Sequence, residues 1–134
     1  MHEQLPEDEI FKIVEQMPLF RAEACGQLEA YAERKACADQ AMLEHIHQHI
    51  TYPPQAREIG KEGLAVITFI VETDGSISNI RLARDPGGGL GEVALAAVEQ
   101  MEANGARWEP GIQKGKPVRV LFHLPVKFQI TGAN

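Results

Sequence analysis

The apolar pattern of this chain predicts an α+β fold: a β-β-α-β two-layer sandwich whose three-stranded antiparallel sheet, in spatial order 2-1-3, packs against two helices behind an N-terminal extension. Three observations carry that expectation. Val118, Val120, Phe122, Leu124, Val126, Phe128 and Ile130 fall at every second position, the period of a strand with one face on a core. Leu64-Ala65-Val66-Ile67-Thr68-Phe69-Ile70-Val71 is apolar on both faces, as a central strand would be. Thr73-Asp74-Gly75-Ser76 then leads into the more polar Ile77–Arg84, and Asp-Gly between two such runs is a strong hairpin signal.

The order of elements constrains the topology. The hairpin makes the first two strands antiparallel, and a helical crossover after the second returns the last strand parallel to it. An all-antiparallel sheet then requires the last strand beside the first, on the edge. Pro125 agrees with that placement, because proline cannot donate to a ladder and is confined to edges or bulges.

Taken from the N-terminus, residues 1 to 9 are polar, and Ile10 to Glu15 have strand composition over a short, irregular stretch. Met17-Pro18-Leu19-Phe20 reads as an apolar turn. A helix is expected from Ala38 to His49, with Met42, Leu43, Ile46 and Ile50 as its apolar stripe. Tyr52-Pro53-Pro54 stops it, since the residue before a proline avoids helical backbone. Pro54 to Glu62 reads as a short helical turn with Ala56 and Ile59 inward. In the second strand Ile80 and Leu82 face the core, with an irregularity near Ser78-Asn79. After the loop Asp85-Pro86-Gly87-Gly88-Gly89, a helix from Gly91 to Ala103 carries Leu90, Val93, Ala94, Ala97, Val98 and Met101 on one face. Trp108-Glu109-Pro110-Gly111 and Lys114-Gly115-Lys116-Pro117 form a connector and a turn before the last strand.

Composition narrows the function. A chain of 134 residues with 44% hydrophobic content supports one core. A net charge of −6 without a basic cluster argues against nucleic acid as a partner. No apolar run approaches the roughly 20 residues that span a bilayer. His45 and His49 have the i, i+4 spacing of a helical zinc pair, but no acid completes the H-E-x-x-H pattern and no third ligand is near, so no metal is expected. Gly89-Leu90-Gly91-Glu92-Val93-Ala94 matches G-x-G-x-x-A formally, yet it follows a half-polar hairpin strand rather than a buried parallel one. No nucleophile stands beside an oriented base. Neither an enzyme nor a cofactor is expected.

Cys25 and Cys37 leave two alternatives. In one continuous helix their Cα atoms would be about 18 Å apart, beyond disulfide reach. A break at Gly26 makes a bridged loop feasible, and two free thiols are the other reading.

The last strand, with Arg119, His123, Lys127 and Gln129 on its wet face, presents a free edge. Such an edge must be blunted, covered or used to capture another extended chain. Ile10 to Val14 are placed to pair with that edge as a built-in guard.

Assembled in this order, Tyr52-Pro53, Gly63, the strand with Phe69, Asp74-Gly75-Ser76-Ile77, Ala94-Leu95, Trp108-Glu109-Pro110-Gly111, Gly115-Lys116-Pro117-Val118 and Pro125-Val126-Lys127-Phe128 resemble the TonB C-terminal domain family. The resemblance covers roughly residues 40 to 130. It implies residues 1 to 37 as an extension with a cysteine-bounded loop and 38 to 131 as the family domain. Val14 to Phe20 with Cys25 and Cys37 resemble a subgroup with such an extension, which implies a Cys25–Cys37 disulfide. Arg21-Ala22-Glu23-Ala24 departs from the Pro-Gly usual there.

By resemblance the chain is the periplasmic part of an energy transducer. It would be anchored in the inner membrane by an N-terminal helix outside this sequence and coupled to an ExbB/ExbD-type motor. It would grip the TonB box of outer-membrane transporters by strand addition, for uptake of siderophores or other nutrients. The implied partner-binding residues are Arg119, Val120, Leu121, Phe122, His123 and Leu124 on the last strand, and His49, Ile50, Thr51 and Tyr52 ahead of Tyr52-Pro53. The alternatives are a homodimer formed through the same edge, or the signalling module of a TonB-domain-fused membrane sensor or peptidase.

Overall fold

In the computed structural model, which describes residues 9–130, the chain opens with β1 (Ile10–Phe11), β2 (Leu19–Phe20) and a 3-10 helix (Glu23–Gln27). It continues through α1 (Tyr31–Gln48), α2 (Pro54–Glu58), β3 (Gly63–Val71), β4 (Ile77–Arg84) and α3 (Leu90–Ala103). Then follow β5 (Trp108–Glu109), β6 (Gly111–Gln113) and β7 (Lys116–Phe128). No helix among the described residues is long and apolar enough to cross a membrane.

The three long strands stand in the order β4-β3-β7, both pairs antiparallel. The sheet is larger than the expected three strands, however. β1 pairs parallel with the far side of β7, Ile10 opposite Arg119 and Phe11 opposite Val120, and β6 pairs with β7 from Lys116 to Val118. The segment read as an extended connector therefore contains the short strands β5 and β6. Gly111 makes β6 possible: a Cβ there would sit 2.5 Å from the Val120 side chain.

One face of the sheet is covered by helices. Ala38, Met42 and Ile46 of α1 and Leu90, Ala94, Ala97, Val98 and Met101 of α3 recur at helical spacing and are buried against it. Between them and the sheet lies an aromatic group, with Trp108 centred 5.5 Å from Phe20, 5.5 Å from Phe69 and 5.0 Å from Phe122. Gly75 of the β3–β4 turn, at φ 86°, brings β5 in: the Trp108 N–H donates to its carbonyl at 2.9 Å, and a Cβ would meet the Trp108 carbonyl oxygen at 2.3 Å. The Asp-Gly signal thus marks a turn and also a docking point for the next segment. A separate apolar cluster, Val14, Val118 and Val120 with Phe11 and Met17, lies under the N-terminal extension.

Four sequence expectations need correction. α1 starts at Tyr31 rather than Ala38, because Tyr31-Ala-Glu-Arg-Lys-Ala-Cys37 is rich in helix formers, and it runs across the expected boundary at 37/38. Leu19 and Phe20 form no turn; they pair with Glu109 and Trp108 and are buried. Ile59 does not face inward but is 74% exposed, because α2 ends at Glu58 and Ile59, the residue after it, caps the helix with its side chain outward. The cysteines are bridged, as the resemblance implied, with Cα atoms 5.7 Å apart. The break that allows this lies not at Gly26 but over residues 28–30, between the 3-10 helix and α1.

Candidate strand-docking edge

β7 sorts its side chains by parity. Val118, Val120, Phe122, Leu124, Val126 and Phe128 are buried, while His123, Pro125 and Lys127 are exposed and Arg119 and Leu121 are half-buried. Of the six residues predicted on this strand, Val120, Phe122 and Leu124 spend their side chains on the cores. Only Arg119, Leu121 and His123 present side chains on the outer face.

Its backbone is shared unevenly. β3 lies along one side from Val120 to Phe128. On the other side β1 occupies Arg119 and Val120, and β6 pairs with β7 upstream of both, from Lys116 to Val118. Beyond Val120, from Leu121 to Phe128, no strand pairs with that side among the described residues. The open edge is thus displaced towards the C-terminal half of β7, and Arg119 and Val120 are covered.

The other margin of the sheet offers a poorer template. The β3–β4 ladder shifts register between Val66 and Ile67 and again between Thr68 and Ile70. Asn79 adopts a left-handed backbone at φ 53°, and Arg81 and Arg84 are exposed on the strand. Irregular pairing and charge are devices that discourage edge association. β7, by contrast, pairs with β3 in unbroken register.

The second predicted group ends α1 and follows it. The His49 N–H donates to the Ile46 carbonyl at 3.0 Å and its Nδ1 lies 2.8 Å from the His45 carbonyl oxygen. Ile50 packs on the main core, and Thr51 is exposed. Tyr52 donates its hydroxyl proton to the Lys61 carbonyl, lies under the Arg57 guanidinium at 5.3 Å, and meets the Phe128 ring edge-on at 5.8 Å. Tyr52 therefore stands at the C-terminal end of β7, whereas Arg119 lies nine residues upstream, about 30 Å along the strand. The two groups are not one pocket. They bracket a long ledge.

At the Arg119 end, its guanidinium forks onto Glu72, Nε to Oε1 at 2.7 Å and NH2 to Oε2 at 3.2 Å. That hydrogen-bonded pairing, helped by Ser78 against the opposing effect of burial, holds the Glu72 carboxyl below its ordinary range. The sequence reading missed Glu72; a lone acid directly after an apolar strand was the available signal. It also missed the Glu15 carboxylate, which accepts the Lys114 N–H at 2.7 Å and ties the extension to the β6–β7 turn.

His45 and His49 stack at 4.7 Å, but His49 Nδ1 is engaged with the helix backbone and His45 Nε2 is buried with no hydrogen-bond partner among the described residues. No group of three or more potential metal ligands occurs among the described residues. A cleft of about 290 Å³ beside the disulfide is lined by Leu19, Arg21, Cys25, Arg34 and Glu109, with Arg34 and Glu109 paired at 3.1 Å. It brings no nucleophile to a base.

Comparison with known proteins agrees with this architecture. The chain is 37% identical over 93 residues to Protein TonB of Pasteurella multocida, a match covering 69% of this chain and 34% of that protein, so it spans about a third of the relative's length. The solution structure of the Helicobacter pylori TonB C-terminal domain, residues 179-285, superposes with a TM-score of 0.55 at 20% identity. That superposition covers 82% of this chain and 92% of the other, and at such identity it speaks for the fold. Residues 48–130, containing β3, β4, α3 and β7, match the family described as Gram-negative bacterial TonB protein C-terminal, and the chain belongs to that family.

Proposed function

We propose that this chain is the transporter-contacting domain of a TonB-type energy transducer, a non-enzymatic module that receives the TonB box of an outer-membrane transporter as an added strand on β7. The observation that carries the reading is the regular ladder of β7 with β3, whose opposite side beyond Val120 has no strand neighbour among the described residues. Main-chain pairing supplies affinity that depends little on side chains, and Leu121, His123 and Lys127 on one face, with His49 to Tyr52 at the far end, supply selectivity. A force applied along such a ladder loads many hydrogen bonds together. The Cys25–Cys37 bridge supports an oxidising compartment, which the periplasm is. Attachment to the inner membrane and coupling to an ExbB/ExbD-type motor follow as proposals from family membership, as does a role in siderophore or nutrient uptake.

A test leaves the protein unaltered. A TonB-box peptide is titrated by calorimetry alongside two versions N-methylated on alternate residues, one set for each side of the strand. Strand addition requires that one version lose at least tenfold in affinity while the other keeps it, because only one side of an added strand pairs. Equal loss, or none, would sink the reading. The runner-up is pairing of the edge with a second copy, favoured by the exposed Ile10 and Ile13 beside it, at 43% and 85%. Sedimentation with and without the peptide separates the two, since only self-pairing grows with protein concentration and is broken by peptide.

A further inference from the structure

We propose that β1 is a displaceable latch: a built-in strand that occupies the upstream end of the β7 docking edge and must leave before a partner strand engages its full length. The proposal rests on the strand-addition reading above and adds its regulation.

The two short strands that pair with the upstream end of β7 are attached very differently. β6 is joined to β7 by the tight Lys114–Gly115 turn, so its end of the ladder closes locally. β1 comes from the other end of the sequence and contributes two residues in the parallel sense, the less stable pairing per residue. Only Phe11 of that pair seats in the small cluster with Val14, Val118 and Val120, while Ile10 is 43% exposed. The chain that follows is firmly held. Gln16 exchanges both backbone hydrogen bonds with Ile112, Glu15 and Gln113 bond each other's segments, β2 pairs with β5, and the disulfide closes the next loop.

The anchored part therefore begins at Val14, and the latch lies just beyond it. Lys12 and Ile13 between them are exposed, Ile13 at 85%, and form a joint with no core side chain to extract. A segment of few buried contacts next to a fixed anchor is the kind that opens by itself while the rest stays folded. In the closed state β1 blunts the upstream part of the edge, at Arg119 and Val120, which guards against edge-to-edge association. In the open state the ledge lengthens upstream to Arg119, adding the side chain that lies on Glu72 to the surface a partner meets.

The test titrates the full chain with a TonB-box peptide, following the Ile10 and Phe11 amides by NMR and the affinity by calorimetry. Three proteins are compared: the unaltered chain, Ile10→Pro, which puts a proline into the two-residue pairing at a position outside both apolar clusters, and Ile13→Asp, which adds charge beside the latch without entering that pairing. The expected result is release of the Ile10 and Phe11 amides as peptide saturates, about fivefold tighter binding by Ile10→Pro, as follows if the latch is closed in about four molecules of five, and unchanged affinity for Ile13→Asp. Peptide bound with those amides unmoved and all three affinities equal would overturn the latch and leave the docking edge standing. An equal gain in both variants would also overturn it, as a charge or order effect. Absence of binding in all three would defeat the docking reading, and the latch with it.

Discussion

Two side chains show how this fold responds to protons. His45 faces Phe20 at 5.7 Å between ring centres, and burial, with His49 second, pushes its pKa below the ordinary 6.5. The folded state thus holds fewer protons than the unfolded one just below that value, and stability falls as pH drops through 6.5 towards the folded pKa. Glu72 is likewise depressed, chiefly by its hydrogen bonds to Arg119, so its contribution is present above the ordinary 4.5 and is lost as pH falls through its folded pKa. Both act in the same direction in separate windows. Urea midpoints measured from pH 7.5 downwards are expected to fall in two stages. His45→Leu should remove the upper stage and Glu72→Gln should shrink the lower, to which Asp74, also depressed by its hydrogen bonds from Ser76, contributes; a flat profile down to the Glu72 window would refute the assignment of His45.

At the scale of elements, the disulfide joins the 3-10 helix to α1 across a separation of 12 residues. Closing such a loop is worth about 3 kcal/mol in the entropic account. Replacing both cysteines by alanine should lower stability by about that amount, while β3, β4 and β7, which lie outside the loop, keep their hydrogen-exchange order. The same comparison shows what a sequence makes legible. β3, β4, α3 and β7 were readable because each carries its own period and punctuation, with Asp74-Gly75 and Asn104-Gly105 as the stops. β2 and β5 were not, because each is two residues long and exists only through the other, about 90 positions away, as with Leu19 and Glu109; β6 read only as connector, while β1 was legible in the strand composition of Ile10 to Glu15. The docking edge was legible in outline: the alternation in β7 marks a strand and Ile10 to Val14 were placed as its guard, but that only Ile10 and Phe11 pair, and only at Arg119 and Val120, is a property of the fold.

The whole molecule is not a family domain with a passive leader. The family match begins at residue 48, yet Leu19, Phe20, Ala38, Met42 and Ile46 lie before it and belong to the main core. Phe20 packs edge-on against Trp108, the largest fully buried side chain, and loss of such a phenylalanine costs about 3–5 kcal/mol. A chain begun at Ala38, the boundary expected from sequence, would cut α1 inside its second turn and strip Phe20 from the aromatic group. With a typical domain holding only about 5–15 kcal/mol in all, that truncation should melt far lower or fail to fold. A chain begun at Lys12 loses only the latch and keeps Val14, β2 and the disulfide. It should melt close to the full chain, within about 1 kcal/mol, the worth of one or two net hydrogen bonds. Thermal denaturation of the two truncations side by side decides the matter. Similar melting of both would mean that the extension rests on the domain without stabilising it.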